Sequence, residues 1–197
     1  MGRFIVPLEK PKPNIEHWVK VIKGEEAPER PPMVEYLVDN AVMKPILAQM
    51  MGRKWVATSE KKEYMGGQMD MSYESMETIR RWLDNQIAFW YHMGYDFVRV
   101  EVSLPLPTQS RITKDTSGQA EGANRAWAET EIGPIHDWKT YEKYPWPMVK
   151  DSDFFIHEYI TSHLPDGLGF ITCHAGGIYE QVWRLLSQHG HVLHFAR

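Results

Sequence analysis

Hydrophobic residues recur at three- and four-residue steps between Ser72 and Met93, where Met76, Ile79, Leu83, Ile87, Trp90 and Tyr91 share one side of a 3.6-residue period. That spacing predicts the longest helix of the chain. Ser72 or Ser75 is its N-cap, Glu74 and Glu77 complement the positive end of its dipole, and Gly94 stops it. Directly afterwards the period changes to two. In Phe97-Val98-Arg99-Val100-Glu101-Val102-Ser103-Leu104 the valines take one face and Arg99, Glu101 and Ser103 the other, which predicts a strand with an apolar and a polar side. Leu168 to Cys173 predicts a second, buried strand. Arg111 to Asp115 and Arg125 to Ile132 read as extended segments separated by Gly- and Ser-containing turn residues, as in a hairpin.

Shorter helices fill the rest. Asn14 caps one through Ile22, with Trp18, Val19 and Ile22 as its apolar stripe and Gly24 as its stop. Met33 to Val38 is extended. A helix then runs to Met51, starting at Asp39 or Asn40 or, because of Pro45, a few residues later. Arg53 to Met71, mixed in charge and holding Gly66 and Gly67, reads as an exposed excursion. Thr140 to Tyr144 is helical and ended by Pro145, Asp151 or Ser152 caps a helix to Leu164, and Gly176-Gly177 opens a helix from about Ile178 to Leu186. Helices alternating with strands are the α/β signature.

Composition narrows the function classes. With 197 residues, 43% of them hydrophobic, the chain can build one large domain or two small ones, and collagenous, coiled-coil and wholly disordered readings are excluded. Lysines and arginines number 22 against 26 acids, a net charge of −4, and no basic block offers a phosphate footprint, so nucleic acid is not an expected partner. The single cysteine, Cys173, has no internal disulfide partner, which suits a reducing compartment such as the cytoplasm. The apolar run Phe4 to Pro7 is too short for a signal-peptide core, and no stretch approaches the ~20 apolar residues of a membrane helix, so no membrane partner is expected. Eight tryptophans, eleven methionines and nine histidines suit a pocket for a large flat ligand and a plain core equally well.

Several blocks, taken in order, resemble the uroporphyrinogen decarboxylase superfamily, which includes corrinoid-dependent methyltransferases. Trp18 to Glu25 followed by Pro28-Glu29-Arg30-Pro31-Pro32 is similar to its opening helix and "R-x-P" entry. Phe89 to Val102 is similar to its "A-x-x-x-G-x-D" helix and first strand, Glu131-Ile132-Gly133-Pro134 to its "E-G-P" turn, and Tyr144-Pro145-Trp146-Pro147 to its methyltransferase-like branch. Leu164-Pro165-Asp166-Gly167 through Gly176-Gly177-Ile178-Tyr179-Glu180 resembles the next βα unit. The likeness covers roughly Asn14 to Leu186.

The resemblance implies a (β/α)8 barrel. Such barrels take ~250 residues, so the roughly 100 residues from Phe97 onward hold about three of eight units. The expectation is therefore an α/β fold, an incomplete (β/α)8 TIM-barrel-like domain and the N-terminal part of a family member. It has a helical preamble over 1–96, the first βα units over 97–186, and an atypical tail over 187–197 marked by His189, His191 and His194. Truncation or a shifted reading frame accounts for that tail, and strands lacking neighbours leave unpaired edges open to self-association.

By the same resemblance the site lies at the carboxyl ends of the strands. Glu101 and His174 are the catalytic candidates, and Ser103, Gly176, Gly177, Tyr179 and Glu180 the substrate-binding ones. Each has a plainer alternative. Glu101 is either a desolvated carboxyl suited to proton transfer or to pyrrole N–H groups, or an acid on an exposed face paired with Arg99. His174 is either a ligand-facing donor or a helix cap. Gly176-Gly177 either bares backbone N–H groups to a substrate carboxylate or merely makes a tight corner. Tyr179 and Glu180 are otherwise core packing and a favourable N-terminal acid. Glu129 and Glu131 form a carboxylate pair or a solvated hairpin face. Cys173-His174 lacks a third ligand, and the histidine trio is an accidental cluster, so no metal is expected.

The implied function is tetrapyrrole-related (porphyrin) decarboxylation, with corrinoid-dependent methyl transfer as the alternative and a non-catalytic fragment or interaction module as the third reading. The expected ligand is a tetrapyrrole or corrinoid, with no resident cofactor. The family's arginine-rich segment falls where this chain has Val34-Glu35-Tyr36-Leu37-Val38, its aspartate where Glu101 or Ser103 stands, and its tyrosine near Trp183-Arg184. Glu35 repels an octacarboxylate, which speaks against uroporphyrinogen as substrate. A site in this fold draws on several strand ends, so with about three of eight units no turnover of uroporphyrinogen and no methyl transfer is expected of this chain alone.

Overall fold

A computed structural model of the chain describes residues 7–35, 38–56, 75–102, 106–108, 110–114, 124–128, 133–174 and 177–195. The fold mixes helices with strands and divides into two units, Met1–Val102 with Lys150–Cys173, and Ser103–Val149 with His174–Arg197. No helix among the described residues is long and apolar enough to cross a membrane.

The first unit is organised on α3, Met76–His92. Ser75 is its N-cap and accepts the Thr78 N–H at 3.2 Å. Its buried face, Ile79, Trp82, Leu83, Gln86, Ile87 and Trp90, follows the predicted three- and four-residue steps but is wider than predicted, while Met76 at the open first turn is exposed. At the other end the Tyr95 N–H returns to the Trp90 carbonyl and the Gly94 N–H to that of Tyr91, and the Tyr95 ring packs edge-on against the Trp90 ring at 4.9 Å.

Two shorter helices precede α3. In α1, Ile15–Ile22, Asn14 accepts the His17 N–H as predicted, but the stripe is only partly used: Trp18 meets Phe97 edge-to-face at 5.0 Å, whereas Val19 and Ile22 face solvent. The helix docks instead by its entry. The Asn14 N–H donates to Asp96 Oδ1, the Ile15 N–H to the Gly167 carbonyl, and Ile15 lies so close to Gly169 that a Cβ there would meet its side chain at 2.3 Å. Helix α2, Asn40–Pro45, capped by Asp39, passes into a π-helical turn over Ile46–Met50. Pro45 has no N–H for the ladder, and the turn after it opens to a bond from the Met51 N–H to the Ile46 carbonyl. Residues 53–56, expected to be exposed, pack: Val56 is in the core and Trp55 lies against it. The rest of that stretch, like Glu129 and Glu131, lies outside the described residues.

Strands β1, Phe97–Val102, and β4, Gly169–His174, form a two-stranded parallel sheet. Helix α5, Phe155–His163, lies on the connection between them, after a 3-10 turn over Asp151–Phe154 where a continuous helix was expected. The helix packs on α3, with the Tyr159 hydroxyl donating to Asp84 at 2.9 Å. Before β4, Gly167 sits at φ +79 with the Pro13 carbonyl oxygen 2.3 Å from where a Cβ would stand. Only glycine satisfies both demands.

In the second unit the predicted hairpin forms. Strand β2, Ser110–Lys114, pairs antiparallel with β3, Asn124–Ala128, in the register Ser110 to Ala128 and Lys114 to Asn124. Helix α4, Trp138–Lys143, starts two residues earlier than predicted, because Asp137 takes the Thr140 N–H while the Thr140 hydroxyl accepts the Asp137 N–H. A small core gathers Ile135, Tyr144 and Leu185. Helix α6 spans Gly177–Phe195, past the expected end at Leu186, and is longer than α3. The pairs Leu185-Leu186 and Val192-Leu193 keep a helical period that the histidines between them obscure.

Candidate functional site

A parallel pair puts the carboxyl ends of its strands at one end of the sheet, so the part of β1 carrying Glu101 and the last residues of β4 before His174 lie at the same end of the β1–β4 pair. Around them β1 departs from the predicted two-faced strand. Phe97, Val98 and Val100 are buried, and so are Arg99 and Glu101. Helix α3 packs on this strand, and the polar residues of its other face are withdrawn from solvent along with Val98 and Val100.

Inside, the two charges compensate each other. Arg99 Nη2 donates to Glu101 Oε1 at 3.2 Å, with the side chains 6% and 2% exposed. The plainer alternative for Glu101 thus has the right partner and the wrong location: the pair is in the core, not on a solvated face. A buried ion pair of this kind adds little to stability, because desolvation of two charges cancels most of their attraction. What it supplies is a fixed acceptor and a fixed donor near the end of a strand.

The other candidates are distributed. His174 is the last residue of β4. Ser103 and Gly176 lie outside the described residues. Gly177 begins α6 at φ +56 with nothing within 4 Å of a Cβ position, so its requirement is the corner itself and not the close approach of another group. Ile178 and Tyr179 in the next positions are 86% and 70% exposed, which corrects the core-packing alternative for Tyr179. Glu180 pairs with Arg184 one turn later, an arrangement that stabilises the helix locally. Glu101 and the α6 residues belong to different units.

Among the described residues no group of three histidine, cysteine or acidic side chains is placed to hold a metal. Two features of the first unit were not foreseen in the sequence. One is the burial of the Arg99–Glu101 pair, because alternation assigned both residues to a solvent face. The other is a cleft of about 520 Å3 whose walls include Leu8, Met50, Met51, Arg53, Ala88 and His92, residues from three segments far apart in the chain.

No family model, no curated protein and no solved structure matches the chain.

Proposed function

We propose that the chain carries the opening part of a uroporphyrinogen decarboxylase-like (β/α)8 barrel, and that the carboxyl ends of β1 and β4 bind a tetrapyrrole. The observation that carries this reading is the Arg99–Glu101 pair, buried in an otherwise apolar strand next to its carboxyl end. A hydrophobic pair of similar volume would serve stability as well or better, so the charges are retained for something they read. The Glu101 carboxylate is the acceptor for pyrrole N–H groups and the Arg99 guanidinium the donor for a ligand carboxylate, in the geometry guanidinium and carboxylate favour. The helix–strand order α3–β1 and α5–β4, with β1 and β4 parallel, is compatible with barrel units.

Protoporphyrin IX absorbance titrations test this. A saturable shift of the Soret band is expected for the natural sequence, and its loss for the double variant Arg99→Met/Glu101→Leu, whose fold is checked by circular dichroism. A folded double variant that still binds protoporphyrin IX equally well overturns the assignment of the site.

A further inference from the structure

The cleft in the first unit is built where three segments converge. One wall is the end of the π-helical turn, Met50, continued by Met51, and π-helical turns concentrate at functional sites. The second is the last part of α3, Ala88 and His92. The third is the extended segment at Leu8, tied to α3 twice: its N–H donates to the His92 carbonyl, and His92 Nδ1 donates to its carbonyl, both at 2.7 Å. The segment is therefore a fixed wall.

Arg53 is the guanidinium among the residues lining the cleft. Its Nε donates to Asn85 Oδ1 at 2.9 Å, and Asn85, itself buried, donates onward to the Lys54 carbonyl at 3.0 Å. One edge of the guanidinium is thereby held against α3 while the side chain lines the cleft. The same lining includes apolar groups left facing solvent, Leu8 and the 54%-exposed Met50. A cation at a fixed position beside exposed, adaptable thioether and aliphatic surface matches an anion with an apolar body. Glu9 also lines the cleft and offsets the positive field, which disfavours a phosphate or a dicarboxylate relative to a monoanion. The volume is in the range of small-molecule sites.

We infer that this cleft binds a small amphiphilic monocarboxylate, its head on Arg53 and its tail on Met50, Met51 and Leu8. The site is separate from the β1–β4 strand ends. Calorimetric titration of the full chain with octanoate, 1-octanol and octylamine tests it. Octanoate is expected to bind saturably at one site, 1-octanol more weakly, and octylamine not at all. Arg53→Met is expected to weaken octanoate by about 10-fold or more, the usual effect of losing a charge-assisted bond. Because Arg53 also braces Asn85, a second variant is made at an exposed wall position: Met50→Glu places an acid in the cleft and is expected to weaken octanoate similarly. Absence of saturable octanoate binding, equal binding of octylamine, or unchanged affinity in a folded Arg53→Met or in Met50→Glu overturns the proposal.

Discussion

Arg99 and Glu101 are two residues apart on one strand and almost wholly out of water, so each relies on the other's opposite charge. Removing one takes that compensation from the other. Glu101→Leu alone is expected to cost roughly 3–5 kcal/mol, and Arg99→Met/Glu101→Leu less than either single variant. Urea midpoints of the two single variants and the double variant check this, and a double variant as unstable as the singles would contradict it. The residue pattern of β1 shows why this pair was only half legible. Alternation of valines with charged residues specifies a strand, but a period of two is silent on whether the second face meets solvent or another layer. That is settled by α3, α5 and the segments packed around the sheet, which come from elsewhere in the chain.

At the scale of elements, caps and stops were legible wherever a single residue decides them. Asn14, Asp39, Ser75 and Gly94 act at the positions that local chemistry assigns. Ser75→Ala is expected to destabilise the first unit by about 1 kcal/mol, measured by denaturant titration, since it strips the Thr78 N–H of its acceptor. Elements shaped by distant partners were not legible. The widened turn after Pro45, the docking of α1 by its first residues and the packing of residues 53–56 all depend on groups far away in sequence. Glycines illustrate the same division. Gly167 and Gly177 both have positive φ, but only Gly167 has backbone 2.3 Å from a Cβ position. Gly177→Ala is expected to cost about 1–2 kcal/mol of left-handed strain, and Gly167→Ala clearly more because the Pro13 carbonyl must move. Equal shifts in thermal midpoint for the two would refute the argument. For the candidate site, Gly177 is therefore explained by its turn, and Tyr179, exposed beyond it, is the α6 candidate with surface to offer a ligand.

For the whole molecule, titratable groups bound the pH range of stability on both sides. The Lys20 side chain, then that of His17, holds the Glu26 carboxyl below its ordinary range, and the Thr140 N–H does the same for Asp137. Their contributions are present above the unfolded carboxyl range near pH 4 and are lost as pH falls through the lower folded values; both groups are exposed, so salt weakens the effect. Burial raises the hydroxyls of Tyr95, Tyr144 and Tyr159, with Glu35 adding to the first and Asp84 to the last. For these the neutral form is the folded form. Their contribution is complete below about pH 10 and disappears as pH rises through the raised folded values. Urea midpoints are therefore expected to be flat between about pH 5 and 9 and to fall on either side, and Tyr144→Phe to reduce the alkaline slope. An alkaline limb unchanged in that variant would remove Tyr144 from the account.

The β1–β4 pair also has a temporal consequence. Its strands come from 97–102 and 169–174, and the hairpin, α4 and α5 are all made in the interval. Closing a loop of roughly seventy residues costs about 4 kcal/mol of chain entropy before any strand contact compensates it. During synthesis α1, α3 and β1 emerge as a partial layer whose sheet waits for its second strand, with the open edge of β1 exposed to solvent and to neighbouring chains. Refolding of the first unit depends on this and other non-local closures and is slow for its helical content, because rates follow sequence separation more closely than composition.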